Sequence, residues 1–284
     1  MKAPSFDYAR PASLAEALHL LARHGERAKL LAGGQSLIPS LNMRLAAPEM
    51  LIDLGALKEL QGIAPQGDGL RIGAGTRHRE IEHSALVAQR AALLAQAAPH
   101  IAHVAIRNRG TLGGSLAMAD PAAEWPACCV ALQATLVIAS ARGERRVGAG
   151  QFFKALYSTD LATDEILVAV EFPAPAPKAR STFLELARRR GDYAMVGLAA
   201  LASRGAGKLA GVRLAFLGVA AVPVLARRAM AAAEGRQPDA ITIAAVQSAI
   251  GEDLQPGADL YTSAAAKLHL ARVLTGRALA ELAR

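Results

Sequence analysis

Two short strings hold the residues best suited to chemistry: Ala32-Gly33-Gly34-Gln35-Ser36-Leu37 and Thr111-Leu112-Gly113-Gly114-Ser115. Each is a double glycine that follows an apolar segment and ends at a hydroxyl residue. A dinucleotide cofactor carries a pyrophosphate that must be met at close range without bulky side chains, and backbone N–H groups in a glycine turn do this. Two facing turns of this kind could clamp one pyrophosphate from both sides. Either string alone reads better as an ordinary tight turn. Neither is a G-x-G-x-x-G fingerprint opening a long helix, and no G-x-x-x-x-G-K-[ST] string occurs, so Rossmann binding and P-loop hydrolysis are disfavoured.

Other side chains are weaker candidates. His100 and His103 are three apart but have no third or fourth ligand nearby, so a metal site is not expected. Cys128 and Cys129 are adjacent, which gives neither a disulfide framework nor iron–sulfur spacing. Arg188-Arg189-Arg190 faces a phosphate, a redox partner or solvent. No Ser/His/Asp arrangement or nucleophile elbow is visible, so hydrolysis has no support. No catalytic residue is assigned.

The elements that must position the two strings are legible in outline. Ser13 and Glu16 read as a capping box, Leu14, Ala17, Leu18 and Leu21 share one helical face, and Gly25 suits the position past the end. Lys29 to Ala32 reads as a buried strand running into the first string, and Met50 to Leu54 closes a β-α-β unit. Leu70 to Gly75 reads as a strand, Thr76 as a helix N-cap, and Leu86 to Ala98 as one helix stopped by Pro99. Ile101 to Ile106 leads to a polar turn, Arg107 to Gly110, ahead of the second string. Asp120-Pro121 reads as the start of a helix reaching Leu132, followed by strands at 135–140 and 165–172. Three prolines within Pro173 to Pro177 mark a linker. Beyond it come three strands (181–187, 194–203, 209–218) and three helices (222–235, 242–252, 262–282), an α+β order. The expected domains are therefore 1–176, with subdomains of about 1–55 and 56–176, and 177–284.

The chain has 284 residues, 52% of them hydrophobic, enough for a substantial core. Its formal charge of +8 is spread among acidic residues, and aromatics make up only 4%, so nucleic-acid binding is not expected. The N-terminus lacks an apolar h-region, and the longest apolar run, Leu214 to Ala226, contains Pro223 and is shorter than the roughly 20 residues that span a bilayer. A soluble, cytoplasmic protein is expected.

In their full context the two strings resemble a known family. The first is followed by Pro48-Glu49-Met50-Leu51-Ile52-Asp53-Leu54. The second opens as Arg109-Gly110-Thr111 and is followed by Asp120-Pro121 and Glu124-Trp125-Pro126-Ala127. Together with Asp164 to Leu167, Gly191-Asp192-Tyr193-Ala194 and Ser263 to Leu279, they are similar to the flavoprotein medium subunit of molybdenum hydroxylases of the carbon monoxide dehydrogenase and xanthine dehydrogenase type.

The resemblance implies an α+β fold: a two-subdomain FAD-binding domain of the vanillyl-alcohol-oxidase type and a smaller C-terminal domain of a three-stranded antiparallel sheet with helices. It implies FAD as cofactor, with Ala32, Gly33, Gly34, Gln35, Ser36 and Leu37 and the Thr111, Gly113, Gly114 and Ser115 string around its pyrophosphate and sugar oxygens. Asp120 and Glu124 match cofactor-contacting positions, with a helix cap and a first-turn acid as the alternative. Leu167 and Tyr193 match positions near the isoalloxazine. The family often has Asn where Ser115 stands. It further implies a small [2Fe-2S] subunit and a large molybdenum-cofactor subunit as partners, in a dimer of heterotrimers, with electrons passing through the FAD to an external acceptor. Two other readings remain: a self-contained flavin oxidoreductase, for which Glu185 and Asp192 are early acid candidates, and a fold that has lost its cofactor.

Overall fold

A computed structural model describes residues 2–284. The chain begins with β1 (Asp7–Ala9), α1 (Leu14–His24), β2 (Ala28–Leu31), α2 (Leu37–Asn42) and β3 (Met50–Asp53). The strands form a parallel sheet in the order β1-β3-β2, with β3 central. The Ser13 hydroxyl accepts from Glu16 N at 3.2 Å, as a cap should, but the Glu16 carboxylate reaches back to Ala12 N, one residue further than a capping box. β1 and α2 were not expected. β1 has no apolar run to announce it, and α2 starts immediately after the glycine turn with Pro39 in its first turn, where a missing N–H costs nothing.

The middle of the chain supplies β4 (Ile63–Gln66), β5 (Gly69–Gly73), α3 (His78–Glu82), α4 (Ala85–Arg90), α5 (Ala92–Ala97), α6 (Val104–Arg107), α7 (Leu112–Met118) and α8 (Glu124–Ala131). It continues with β6 (Thr135–Ser140), β7 (Gly143–Gly148), α9 (Ala149–Phe152), β8 (Phe153–Ala155), β9 (Ser158–Thr159) and β10 (Ile166–Phe172). Five of these strands form an antiparallel sheet, β4-β5-β10-β6-β7. One face packs on the first subdomain through Val137, Ala139, Ile166 and Val168 against Leu18, Ile52 and Leu57. The other face carries the helices.

Several expectations change here. Thr76 does not cap α3. It is fully buried, and its hydroxyl accepts from Gly62 N and donates to Gly62 O, both at 3.0 Å, while Arg77 precedes the helix with its N–H on Glu80. The single helix from 86 to 98 is two helices broken at Ala91. An unbroken helix at roughly 100° per residue would leave Leu93 about 120° from the Val87, Ala91, Leu94 and Ala98 stripe; the break lets all five reach the core. Asp120 does not open α8. Its carboxylate accepts from Ala122 N at 2.9 Å, an Asx turn, and the helix begins at Glu124.

After 173–178, which has no regular structure, the chain forms β11 (Ala179–Ala187), β12 (Ala194–Gly205), β13 (Lys208–Leu217) and β14 (Val224–Leu225), then α10 (Arg227–Ala233), α11 (Ala240–Asp253) and α12 (Ala264–Leu282). The sheet is antiparallel in chain order, and the expected three strands gain a two-residue fourth. The period-2 alternation of β12 sends Val196, Leu198, Ala200 and Ala202 toward α10 to α12 and Ala199 toward α8. Buried on both faces, this sheet reads as a nearly continuous apolar run. Every residue of α8 is buried, because it lies between the two antiparallel sheets.

Arg107 belongs to this interior, not to an exposed polar turn. Its Nε donates to Glu82 at 2.8 Å and a terminal nitrogen donates to Ile101 O at 3.0 Å, which holds the segment leading into the second glycine string. Removing one partner strands the other buried charge. Glu82→Gln is expected to cost about 3 kcal/mol in urea unfolding of the full chain; a loss below about 1 kcal/mol, the scale of an exposed pair, would refute the buried-pair account.

Candidate functional site

The two glycine strings meet. A Cβ on Gly33 would lie 2.3 Å from Arg109 O and 2.7 Å from the Gly110 Cα, so only glycine lets the two backbones touch. A Cβ on Gly114 would be 3.6 Å from the Ala32 Cβ and 2.8 Å from the Thr111 hydroxyl. The strings are nevertheless unlike each other. The first is a true turn, with Gly34 at φ 72°, and the second is the first turn of α7.

Their free donors differ accordingly. In the first string the Gln35 side chain folds back to donate to Gly33 O at 3.0 Å, and Gly34 O accepts from Ile38 N. Among the described residues, the backbone N–H groups of Gly33, Gly34, Gln35, Ser36 and Leu37 donate to nothing. In the second string Leu112 N donates to Thr76 O, Gly113 N to Ala74 O and Gly114 N to the Thr111 hydroxyl. The expected two-sided clamp of backbone amides is thus one-sided. The first string offers the amides, and the second offers a side-chain-free wall flanked by Thr111 and Ser115. A run of unpaired N–H groups beside a glycine wall suits a diphosphate.

The second string is fixed from behind. His78 N donates to Gly110 O at 2.9 Å, and the His78 Nδ1 accepts from the Trp125 indole at 3.0 Å. Burial, then the Arg107 charge, lowers the His78 pKa to about 4, so the ring is the neutral acceptor this bond needs. A Cβ on Gly110 would collide with that ring at 2.6 Å. His78 and Trp125 were missed as site-building residues. Trp125 lies in the Glu124-Trp125-Pro126-Ala127 segment, but nothing in the sequence pairs it with a histidine 47 positions earlier.

Beyond α7, Ala119 takes the left-handed conformation at φ 50° and turns the chain into Asp120. Asp120 is partly buried, and its pKa is raised by that burial. Glu124 follows in the first turn of α8 at 9% exposure, its pKa pushed up to about 8 by burial first and then by Glu185 and Asp120. Glu185, on β11, is pushed to about 7 by burial, and its Oε2 has no hydrogen-bond partner. The pair thus joins the two halves of the chain. Glu185, kept only as an acid candidate in the self-contained reading, is here the electrostatic neighbour of Glu124.

Tyr193 stands 73% exposed, and its pKa is raised by its partial burial first and then by the charges of Asp120, Asp192 and Glu124. Its loop is seated by Gly191 at φ 80°, where a Cβ would meet Ala102 O at 2.7 Å. Leu167 is placed differently. It is 5% exposed in the core, at an irregularity of β10 whose Val168 O accepts from Ala74 N. It lies behind the second string, not at an open surface. Of the arginine run, Arg188 covers the Tyr261 ring at 4.5 Å and Arg189 pairs with Asp192. His100 packs edge-on to Phe183, Cys128 and Cys129 are buried free thiols, and no cluster of potential metal ligands occurs among the described residues.

Comparisons with known proteins cover both halves of the chain. Residues 4–175 match the family model described as the FAD binding domain in molybdopterin dehydrogenase, and residues 181–282 match the CO dehydrogenase flavoprotein C-terminal domain. The caffeine dehydrogenase subunit beta of Pseudomonas sp. (strain CBB1) is 36% identical, covering 100% of this chain and 96% of that protein. The solved quinoline 2-oxidoreductase of Pseudomonas putida 86 superposes with a TM-score of 0.96 at 41% identity, covering 100% of this chain and 98% of that one. Carbon monoxide dehydrogenase of Hydrogenophaga pseudoflava gives 0.96 at 37% identity, with 99% and 98% coverage.

Two outcomes follow from the geometry alone. Gly33→Ala forces its methyl onto a backbone carbonyl that cannot swing away, and is expected to lower stability by about 1–3 kcal/mol; an unchanged urea midpoint would show that the loops are not in contact. The Glu124 carboxyl titrates near 4.5 when unfolded and near 8 when folded. Between those values the folded state holds the extra proton, so this group makes stability fall as pH rises from about 4.5 to about 8. In cofactor-free protein, Glu124→Gln should flatten that decline, and a slope equal to wild type would contradict the burial of an uncompensated acid.

Proposed function

Because this chain belongs to the family of FAD-binding medium subunits of molybdenum hydroxylases, we propose that it passes electrons from the [2Fe-2S] clusters of a partner subunit through its FAD to an external acceptor. The observation that carries this reading is the run of unpaired amides from Gly33 to Leu37 in the turn that touches the second string's segment at Arg109, Gly110 and Gly114. Bound FAD supplies the redox chemistry; this chain's residues bind, orient and set charge.

We assign Ala32, Gly33, Gly34, Gln35, Ser36 and Leu37 to the diphosphate, with Thr111, Gly113, Gly114 and Ser115 on the opposite wall. Thr111 uses its hydroxyl to accept from Gly114 N. Ser115 projects from the next position of α7 and supplies a hydroxyl where a longer amide is common in the family. Asp120 and Glu124 serve as acceptors for donors of the cofactor, and Glu124 also holds a proton near neutrality. The exposed Tyr193 ring covers the flavin, and Leu167 supports it from within the core.

The reading extends to a vanillyl-alcohol-oxidase-type FAD-binding domain over 1–176, a C-terminal domain over 177–284, and assembly with a small [2Fe-2S] and a large molybdenum subunit as a dimer of heterotrimers. Two adjacent buried cysteines left as free thiols suit a reducing, cytoplasmic setting. Nothing favours the self-contained oxidoreductase: of its two acid candidates, Asp192 is paired with Arg189.

The test is direct. The full chain, purified alone, should bind FAD with absorbance near 450 nm, at about the flavin position, and hydroxylate nothing. Gly34→Val with Gly114→Val should abolish that colour while leaving the far-ultraviolet circular dichroism intact. Full FAD content in the double variant, or hydroxylation by the lone chain, would overturn the proposal.

A further inference from the structure

Lys267, near the start of α12, is a lysine only 8% exposed. A buried ammonium is costly unless it is paired and hydrogen-bonded, so its partners define what it does. Its Nζ donates to Gly218 O at 2.9 Å and pairs with the Asp259 carboxylate at 2.8 Å. The other Asp259 oxygen accepts from Tyr261 N and Thr262 N, both at 2.8 Å. The Lys267 hydrogen bond, followed by that of Tyr261 N, lowers the Asp259 pKa to about 2, so this carboxylate is charged at neutral pH.

Gly218 carries this anchor to the site. It follows β13 at φ 77°, and a Cβ there would lie 2.7 Å from Met195 O and 3.1 Å from Ala194 O. The glycine therefore packs directly on the backbone that leaves Tyr193. Its N–H donates to Pro121 O at 2.9 Å, on the residue bonded to Asp120. A single residue thus touches the chain beside Asp120 and the chain beside Tyr193, and its carbonyl is held by Lys267. The segment that supplies Asp259 reaches the Tyr193 loop by a second route, because the Arg188 guanidinium lies 4.5 Å over the Tyr261 ring.

We propose that Lys267 is a positioning residue of the cofactor site, fixing through Gly218 the backbone that presents Asp120 and Tyr193 to bound FAD. The proposal rests on the assignment of those two residues to the cofactor made above. A buried ammonium suits the role because a charged donor binds a carbonyl roughly twice as strongly as a neutral one, and Asp259 keeps it from turning out to solvent. Removing the charge leaves Asp120 and Tyr193 chemically intact but loosens the backbone between them. Affinity for FAD then falls although no group that contacts the cofactor is lost.

The experiment is a double-mutant cycle, read by fluorescence titration of cofactor-free full chain with FAD. Lys267→Met is made in wild type and in the chain that already carries Asp120→Asn with Tyr193→Ala. In wild type it should weaken FAD binding about tenfold, the scale of a hydrogen bond to a charged group. In the second background it should cost less than about twofold, because the residues it acts through are gone. Equal weakening in both backgrounds, or none in wild type, overturns the Lys267 proposal alone. If Asp120→Asn with Tyr193→Ala binds FAD as tightly as wild type, the assignment of those residues fails and this proposal falls with it. A measurement on the unmutated chain guards against a variant that does not fold: the Gly218 amide, bonded to Pro121 O, should exchange more slowly once FAD is bound. Unchanged exchange there would also overturn the proposal.

Discussion

The closeness of two backbones governs this structure. Gly33 lies so near Arg109 and Gly110 that no side chain fits between them, and everything else at the site is arranged on either side of that contact. On one side β2 delivers a turn whose amides have no partner. On the other, α7 begins with its own amides already engaged by Ala74, Thr76 and Thr111. One loop is therefore rich in donors and the other a smooth surface. An anion placed against them gains hydrogen bonds from the first and close approach from the second.

The buried helix α8 links this contact to the rest of the molecule. Its Trp125 bonds to His78, which fixes Gly110 and so the second string. Its Glu124 faces Glu185 of the C-terminal sheet, so the charge state beneath the site is shared between the halves of the chain. The same helix packs against both antiparallel sheets, and one hydrophobic cluster runs from Leu70 through Trp125 to Leu217.

Much of this was legible in the sequence, for physical reasons. Ser13 and Gly25 bracketed α1 because cap chemistry is local, and the nearly continuous apolar run of β12 marked a strand buried on both faces. The first glycine string marked a close backbone approach because only glycine permits it at Gly33. What escaped notice depends on partners distant in sequence. Thr76 looks like a cap until Gly62 takes its hydroxyl, and Arg107 looks like a turn residue until Glu82 buries it. The break at Ala91 follows from a core on two sides, and the helical state of Leu112 to Met118 from the backbone bonds that seat it.

The central claim is that the amides from Gly33 to Leu37 hold the diphosphate of FAD. Amide hydrogen exchange of the full chain, resolved at those five residues with and without FAD, addresses it most directly. The account requires fast exchange in the cofactor-free chain and strong protection once FAD is bound, with little change at Leu112, Gly113 and Gly114, which are already bonded. Equal exchange at residues 33–37 in both states, with protection appearing elsewhere, would contradict it.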